Sequence, residues 1–177
     1  MSNNIKEKII LKYKFIHEIN KEQFIELYNI VSNENIMKWI GNGKIWTKEK
    51  LIELIKYSKE DFNNNFKTSK YLYNIILHKN KVIGLIGLHP FKINNNSLQI
   101  TILLSLDYQG KKLSKKILNK IISLKKEYFK NYDLYYIYKK NNIKSGNVIL
   151  NNKNVKIKKC NDTKYNNEEY FVFQILN

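Results

Sequence analysis

Between Leu98 and Leu118 the chain reads LQITILLSLDYQGKKLSKKIL, an apolar run, a short polar turn and a lysine-rich amphipathic segment. A strand that feeds through a tight turn into a helix points backbone N–H groups and the positive end of the helix dipole at one spot. Such a spot binds phosphate or pyrophosphate. Gln109, Gly110, Lys111, Lys112, Leu113 and Ser114 are therefore candidate anion-binding residues. Three other places offer chemistry. His89 closes the β-rich run Leu88-His89-Pro90-Phe91 and titrates in the range a general base needs. In Asn142-Ile143-Lys144-Ser145, Asn142 brings one carboxamide donor and acceptor, and Ser145 brings a hydroxyl. Trp39 and Trp46 bracket the turn Gly41-Asn42-Gly43, an aromatic wall suited to a sugar ring or an apolar side chain, and Lys38 and Lys44 beside it favour an anionic group. Plainer readings stand beside these: a turn histidine, an asparagine turn with a serine cap, and tryptophans that anchor a loop. His17 and His78 read as edge or turn residues, and Asp107 as a residue that orders the turn. No histidine pair or carboxylate cluster suggests a metal.

The periodicity supplies the elements that must position these groups. Ile9 to Phe15 reads as a strand. Asn20-x-x-Gln23 is a capping-box start, followed by Phe24, Leu27, Tyr28 and Val31 at helical spacing. Thr47 caps a second helix with Leu51, Leu54, Ile55 and Ser58 on one face. Tyr71–Leu77 and Lys81–Leu88 form a hairpin through Lys79-Asn80. Leu98 to Leu106 is apolar enough for a central strand covered on both faces. A helix from Lys111 to Lys130 follows, turning Leu113, Ile117, Ile121, Leu124 and Tyr128 inward. Then come a strand over Leu134–Tyr138, a short helix over Ser145–Leu150, and a closing antiparallel pair, Val155–Lys159 with Tyr170–Leu176. Asparagine tracts such as Asn63-Asn64-Asn65, Asn94-Asn95-Asn96 and Asn166-Asn167 mark loops, none long enough to link domains. The order β-α-α-β-β-β-α-β-α-β-β predicts an α/β (α+β) fold with residues 1–177 as one domain.

Composition narrows the partners. The 177 residues are 43% hydrophobic and 13% aromatic, enough for a real core. No apolar run reaches the roughly 20 residues that span a bilayer, and the start MSNNIKEKII lacks a signal-peptide apolar stretch. The single cysteine, Cys160, excludes an intramolecular disulfide and a zinc cluster. A reducing, cytoplasmic setting follows. The net charge of +17 comes from lysine alone, because the chain has no arginine. Arginine is the usual bidentate reader of bases and phosphates, and these lysines are scattered, so a generically basic surface outranks a nucleic-acid face. The field still draws anionic ligands.

The Gln109–Ser114 turn resembles the acetyl-CoA-binding motif of the GNAT N-acetyltransferases, Gln/Arg-x-x-Gly-x-Gly/Ala. Asn142-Ile143-Lys144-Ser145, with Val148-Ile149-Leu150 after it, resembles the Asn-x-x-Ser or Asn-x-x-Ala that opens the helix flanking the CoA thiol. The likeness is greatest to the branch that acetylates ribosomal-protein N-termini and diverse small amines. The element order is similar over essentially the full length. The resemblance implies a mixed, mostly antiparallel sheet with flanking helices, its central strand splayed from its neighbour at a bulge. Acetyl-CoA lies in that cleft as co-substrate, with no metal. It places Leu104 and Leu106 nearest the thioester, where backbone N–H groups polarise the carbonyl. It gives the pyrophosphate to Gln109, Gly110, Lys111, Lys112, Leu113 and Ser114, a pantetheine amide to Asn142, and the departing thiolate to Ser145. Lys112 stands where the motif has glycine and Ser114 where it has glycine or alanine. Gln99 takes the place of a glutamate base, and Ile149 that of a tyrosine acid.

The expected activity is therefore transfer of an acetyl group from acetyl-CoA to a primary amine, a protein N-terminus or a small amine such as an amino sugar. Trp39, Trp46 and Gln99 face the acceptor, His89 is the candidate base and Ser145 the candidate acid. The positive field disfavours a polyamine. A GNAT-fold module that binds acyl-CoA or another protein without catalysis is the alternative, and a basic nucleic-acid-associated domain ranks third. A monomer or a homodimer is compatible with the terminal strands, and no membrane partner is implied.

Overall fold

The computed structural model describes residues 8–67, 69–165 and 167–176. Residues 1–7 of the polar N-terminal segment, and Asn166 of the last asparagine tract, lie outside the described residues. Eight strands form one sheet: β1 (Lys12–Phe15), β2 (Leu72–His78), β3 (Lys81–Pro90), β4 (Ser97–Leu104), β5 (Asp133–Lys139), β6 (Lys156–Lys159), β7 (Thr163–Tyr165) and β8 (Glu168–Leu176). Their order is β1-β2-β3-β4-β5-β8-β6, with β7 also on β8. Every pairing is antiparallel except β4 with β5. The expected mixed, mostly antiparallel sheet is present.

Helices cover both faces. On one lie α1 (Lys21–Val31), the single turn α2 (Glu34–Met37) and α3 (Lys48–Asn63). Leu27, Val31, Met37 and Leu51 pack there on Ile75, Leu85 and Leu103. On the other lie α4 (Ser114–Tyr128) and α5 (Ile143–Leu150). Ile117, Leu118, Ile121 and Ile149 pack there with Ile86, Leu98, Ile100 and Tyr136. The period-2 alternation of β3, β4 and β5 divides these two clusters, so residue parity along a strand decides which face a side chain serves.

Local chemistry explains the element ends. Asn20 and Gln23 form the expected reciprocal capping box, and Thr47 caps α3 through the Lys50 N–H. Lys79 and Asn80 both adopt left-handed φ, 49° and 65°, as a two-residue hairpin turn requires. β1 starts at Lys12, later than Ile9, because Lys12 pairs with Leu77 at the end of the hairpin and leaves Ile9–Leu11 little strand to follow. The Ile10 carbonyl meets His78 Nδ1 instead, at 3.0 Å. α4 begins at Ser114, not Lys111, because Lys112 is left-handed at φ 57° and no α-helix can pass through it. α2 and β7 were not foreseen. Asn33 nucleates α2 by accepting from the Asn35 N–H, and β7 is held against β8 across a short reversal.

The central opening differs from expectation in one respect. β4 keeps an unbroken register on β3 from Leu98↔Pro90 to Leu104↔Gly84, so no bulge bends it away. The opening arises on its other side. Only Ser97, Leu98 and Gln99 pair with β5, on Asp133, Leu134 and Tyr135, and then β5 departs to follow β8.

Candidate active site

Beyond Gln99↔Tyr135 the two strands have no rung, and Ile100–Leu104 face Tyr136–Lys139 across a widening cleft. Parallel strands would exchange hydrogen bonds there, so alternate backbone groups of β4 on that side are left to a ligand. β4 runs out of the vertex toward a short 3₁₀ turn at Leu106–Tyr108 and then the Gln109–Ser114 turn. Gln109 closes the wide end of the cleft by donating its carboxamide N–H to the Leu104 carbonyl at 3.1 Å. Its own backbone N–H goes to Leu106. From Gly110 through Lys116 no backbone N–H has an acceptor among the described residues, and the first one after them, Ile117, donates to Leu113. Gly110 and Lys112 are both left-handed, at φ 73° and 57°. A left-handed residue in such a turn curls successive N–H groups into an anion-binding concavity. Lys111 and Lys112 are exposed beside it, with the Lys111 ammonium 4.9 Å from the centre of the Tyr108 ring.

α5 stands against the other wall. Asn142 is its N-cap, accepting from the Ser145 N–H at 3.1 Å. Gly146 sits on the Tyr138 ring so closely that a Cβ there would lie 3.0 Å from the phenol oxygen. This contact brings the first turn of α5 down onto β5 and sets Ser145 Oγ 2.9 Å from the Tyr136 hydroxyl. Burial pushes the Tyr136 phenol up to about 12, against a smaller downward pull from Ser145, so it stays protonated.

On the face of α1–α3, His89 pairs with Gln99 across β3 and β4 and places Nε2 3.0 Å from Thr101 Oγ1. Its ring lies parallel to Tyr73 and Tyr71, at 6.3 and 6.5 Å between centroids. Burial holds its pKa down at about 4, outweighing the upward pull of a hydrogen bond that the ring donates to the Pro90 backbone carbonyl. His89 is therefore neutral near pH 7 and gives up a captured proton too readily to hold one from an alkylamine.

The loop between α2 and α3 is tied across to the far strands. Lys139, whose side chain is only 6% exposed, donates to the Lys38 carbonyl at 2.7 Å and pairs with Glu168. The Tyr170 hydroxyl donates to the Gly41 carbonyl and also meets Glu168 Oε2, both at 3.2 Å. Trp46 packs against the α1–α3 cluster, with its backbone N–H on the Val31 carbonyl at 2.9 Å. Trp39 belongs to neither core cluster and carries Lys38 over its ring. An open hollow of about 580 Å³ lies beside it, lined by Glu34, Asn35, Lys38, Gly43, Lys44 and Ile45.

A parallel strand pair that parts beside a turn of unpaired N–H groups is the geometry the sequence motif called for. The family model for the acetyltransferase (GNAT) domain matches residues 15–153. The chain belongs to the GNAT acetyltransferase family. No curated protein matches it in sequence. Among solved structures it is similar to the spermidine N-acetyltransferase from Vibrio cholerae in complex with CoA and spermine (TM-score 0.71, 14% identity, 93% of this chain and 94% of that one). It is also similar to a GNAT-family acetyltransferase from Bacillus anthracis (0.66, 15%, 96% and 95%), and to the Campylobacter jejuni N-acetyltransferase PseH (0.60, 17%, 92% and 96%). At these identities the likeness is one of fold.

Against this GNAT frame the sequence-predicted residues fall into three groups. Gln109 to Ser114, Leu104, Asn142 and Ser145 gather around the cleft, while Leu106 lies on the exposed 3₁₀ turn beyond the strand. Gln99 and His89 sit at the vertex, on the α1–α3 face, and Ile149 is buried in the core on the other. Trp46 is an anchor, and Trp39 is half-buried outside both core clusters. Sequence reasoning missed Tyr136, Thr101 and the Lys139–Glu168–Tyr170 tie. The alternation in Tyr135-Tyr136-Ile137-Tyr138 carried a signal for Tyr136, since it puts Tyr136 and Tyr138 on one face. Nothing in the sequence announced a tie between Lys38 and Lys139, 101 residues apart. Among the described residues no group of three metal-ligating side chains occurs, and no helix is long and apolar enough to cross a membrane.

Proposed function

We propose that this protein transfers an acetyl group from acetyl-CoA to a primary amine by direct attack on the thioester. The observation that carries the reading is the cleft between β4 and β5, ending in the unpaired N–H run from Gly110 through Lys116. The pyrophosphate suits that run, assisted by Lys111 and Lys112. The pantetheine arm adds along β4 as an extra strand would; contrary to the expectation that Leu104 and Leu106 lie nearest the thioester, their place beside the Gln109–Ser114 turn puts them at its phosphate end, with the thioester deeper, toward the vertex. Asn142 has its carboxamide oxygen committed to α5, so its N–H₂ is the part available to a pantetheine carbonyl.

The acceptor enters on the α1–α3 face, past Gln99 and under the Trp39–Trp46 loop. Gln99 cannot take a proton at neutral pH, and His89 stays neutral there. Catalysis then rests on proximity and carbonyl polarisation, with water removing the amine proton. That chemistry favours acceptors already partly neutral, such as peptide N-termini with pKa of about 8, over lysine side chains near 10.4. The solved structure with spermine concerns a protein of the same fold, whereas the +17 charge here repels polycations and draws anionic acceptors. The same reading places the protein in the cytoplasm, where acetyl-CoA is available.

Thermal shift with acetyl-CoA, paired with Gln109→Ala and Asn142→Ala, tests the donor site. Ligand at 100 times its dissociation constant stabilises by about 2.7 kcal/mol. A shift in the wild type that shrinks in both variants supports the cleft. CoA release with a panel of peptide N-termini, amino sugars and polyamines then separates transfer from mere binding. No shift at millimolar acetyl-CoA would overturn the reading.

A further inference from the structure

Tyr136 is the first β5 residue beyond the last rung with β4, and its parity turns it to the face that carries α4 and α5. It is buried, while Ser145 above it is only half-buried. The two hydroxyls lie 2.9 Å apart. They own two protons and share one hydrogen bond, so one O–H is left over. A phenol is a far stronger acid than an alcohol, and the phenol therefore donates. The proton left over belongs to Ser145, the member of the pair that reaches solvent. Asn142 fixes the Ser145 backbone through its N–H, and Gly146 seated on Tyr138 holds the turn at this height. The serine is thus oriented from three sides at the cleft vertex, next to the position where the usual helix tyrosine is replaced by buried Ile149.

We propose that Tyr136 is a positioning residue that occupies a lone pair of Ser145 Oγ and so aims the Ser145 O–H at the sulfur of the departing CoA. This rests on the acetyl-transfer reading above. As the amine nitrogen bonds to the thioester carbon, the C–S bond breaks with its electron pair on sulfur. Ser145 donates a hydrogen bond to that thiolate, the surplus amine proton leaves to water, and the thiolate takes its proton from water. Ser145 and Tyr136 are both protonated before and after. A phenol placed on the strand, acting through a serine on the helix, stands in for a tyrosine on the helix itself.

The test reads the thiol of bound CoA directly, by its ultraviolet thiolate absorbance against pH, and needs no acceptor. In the wild type the bound thiol should ionise at lower pH than free CoA. Ser145→Ala should lose that preference, with thiolate held about tenfold more weakly relative to thiol, as loss of a hydrogen bond to a charged group implies. Tyr136→Phe keeps the ring and its packing and should lose most of the same factor, whereas Ser145→Thr retains the hydroxyl and should restore it. Acetyl-CoA affinity should stay within about twofold in all three, because the neutral thioester does not draw on the pair. Equal thiol titrations in the wild type, Ser145→Ala and Tyr136→Phe overturn this proposal and leave the cleft intact as an acyl-CoA site. Failure of the wild type to bind CoA at all overturns both.

Discussion

Lys112 occupies a left-handed position, φ 57°, at the fourth place of the turn, where the family motif has glycine. A side chain there carries about 1–2 kcal/mol of backbone strain relative to glycine. Lys112→Gly relieves that strain but frees the unfolded chain by about 0.5–1 kcal/mol. The net is a gain of roughly 0.5–1 kcal/mol, which for a chain of this size raises Tm by about 1–4 °C. Binding should move the other way. An exposed ammonium about 4 Å from a phosphate oxygen contributes about 1 kcal/mol in water, so the variant should bind acetyl-CoA roughly fivefold more weakly at low salt. The difference should fade as salt rises toward 1 M, where the Debye length is about 3 Å. Lys112→Gln, which removes the charge and keeps the strain, should reproduce the affinity loss without the Tm gain. The assay is a melting curve without ligand beside a titration at two salt concentrations. A Lys112→Gly protein that melts lower refutes the strain argument. One that binds acetyl-CoA more tightly refutes the anion-contact argument and makes the lysine an obstruction.

The pKa of His89, about 4 when folded against 6.5 for an ordinary histidine, ties stability to pH. The unfolded chain takes up the proton first, so this contribution is complete above pH 6.5 and disappears as pH falls toward 4. Its ceiling is roughly 3 kcal/mol, and the partly exposed ring should realise about 1–2 kcal/mol. Urea unfolding at pH 7.5 and 4.5 should therefore show a smaller loss for His89→Gln than for the wild type, and an equal loss would contradict the burial. A Cβ at Gly84 would run into the Leu103 carbonyl oxygen across the β3–β4 ladder. Gly84→Ala should destabilise by about 1–3 kcal/mol, visible as a fall in the urea midpoint. Trp46→Ala should cost about 2 kcal/mol or more of stability because its ring is part of the packing, while Trp39→Ala, outside both core clusters, should lower the urea midpoint clearly less and raise acceptor KM.

Much of this arrangement was legible because it is written in short-range patterns. The capping box at Asn20 and Gln23, the left-handed pair Lys79-Asn80 and the apolar β4 each depend on residues within a few positions of one another. The turn of unpaired N–H groups after β4 was legible for the same reason, even with lysine in the glycine place, because backbone and not side chains defines it. What stayed hidden depends on distance. The opening of the sheet is set by where β5 abandons β4 for β8, a competition between strands that are separated in sequence. Whether His89 titrates near neutrality depends on stacking against Tyr71 and Tyr73, which no local pattern shows. Ser145 was legible as a hydroxyl in the first turn of α5, but its partner Tyr136 comes from another element and is fixed only by Gly146 settling on Tyr138.

The tie of the α2–α3 loop to Lys139 and Tyr170 makes the two substrates of such an enzyme thermodynamic neighbours. β5 is at once the outer wall of the cleft and, through Lys139, the anchor of the α2–α3 loop, which in the proposed reading are the donor and acceptor sides. A donor that spreads or stiffens that wall changes the footing of the loop, and by linkage an acceptor that orders the loop must change donor affinity by the same factor. Lys139→Met should make donor and acceptor binding independent, and equal coupling in the wild type and the variant would show that the two sites communicate by another route.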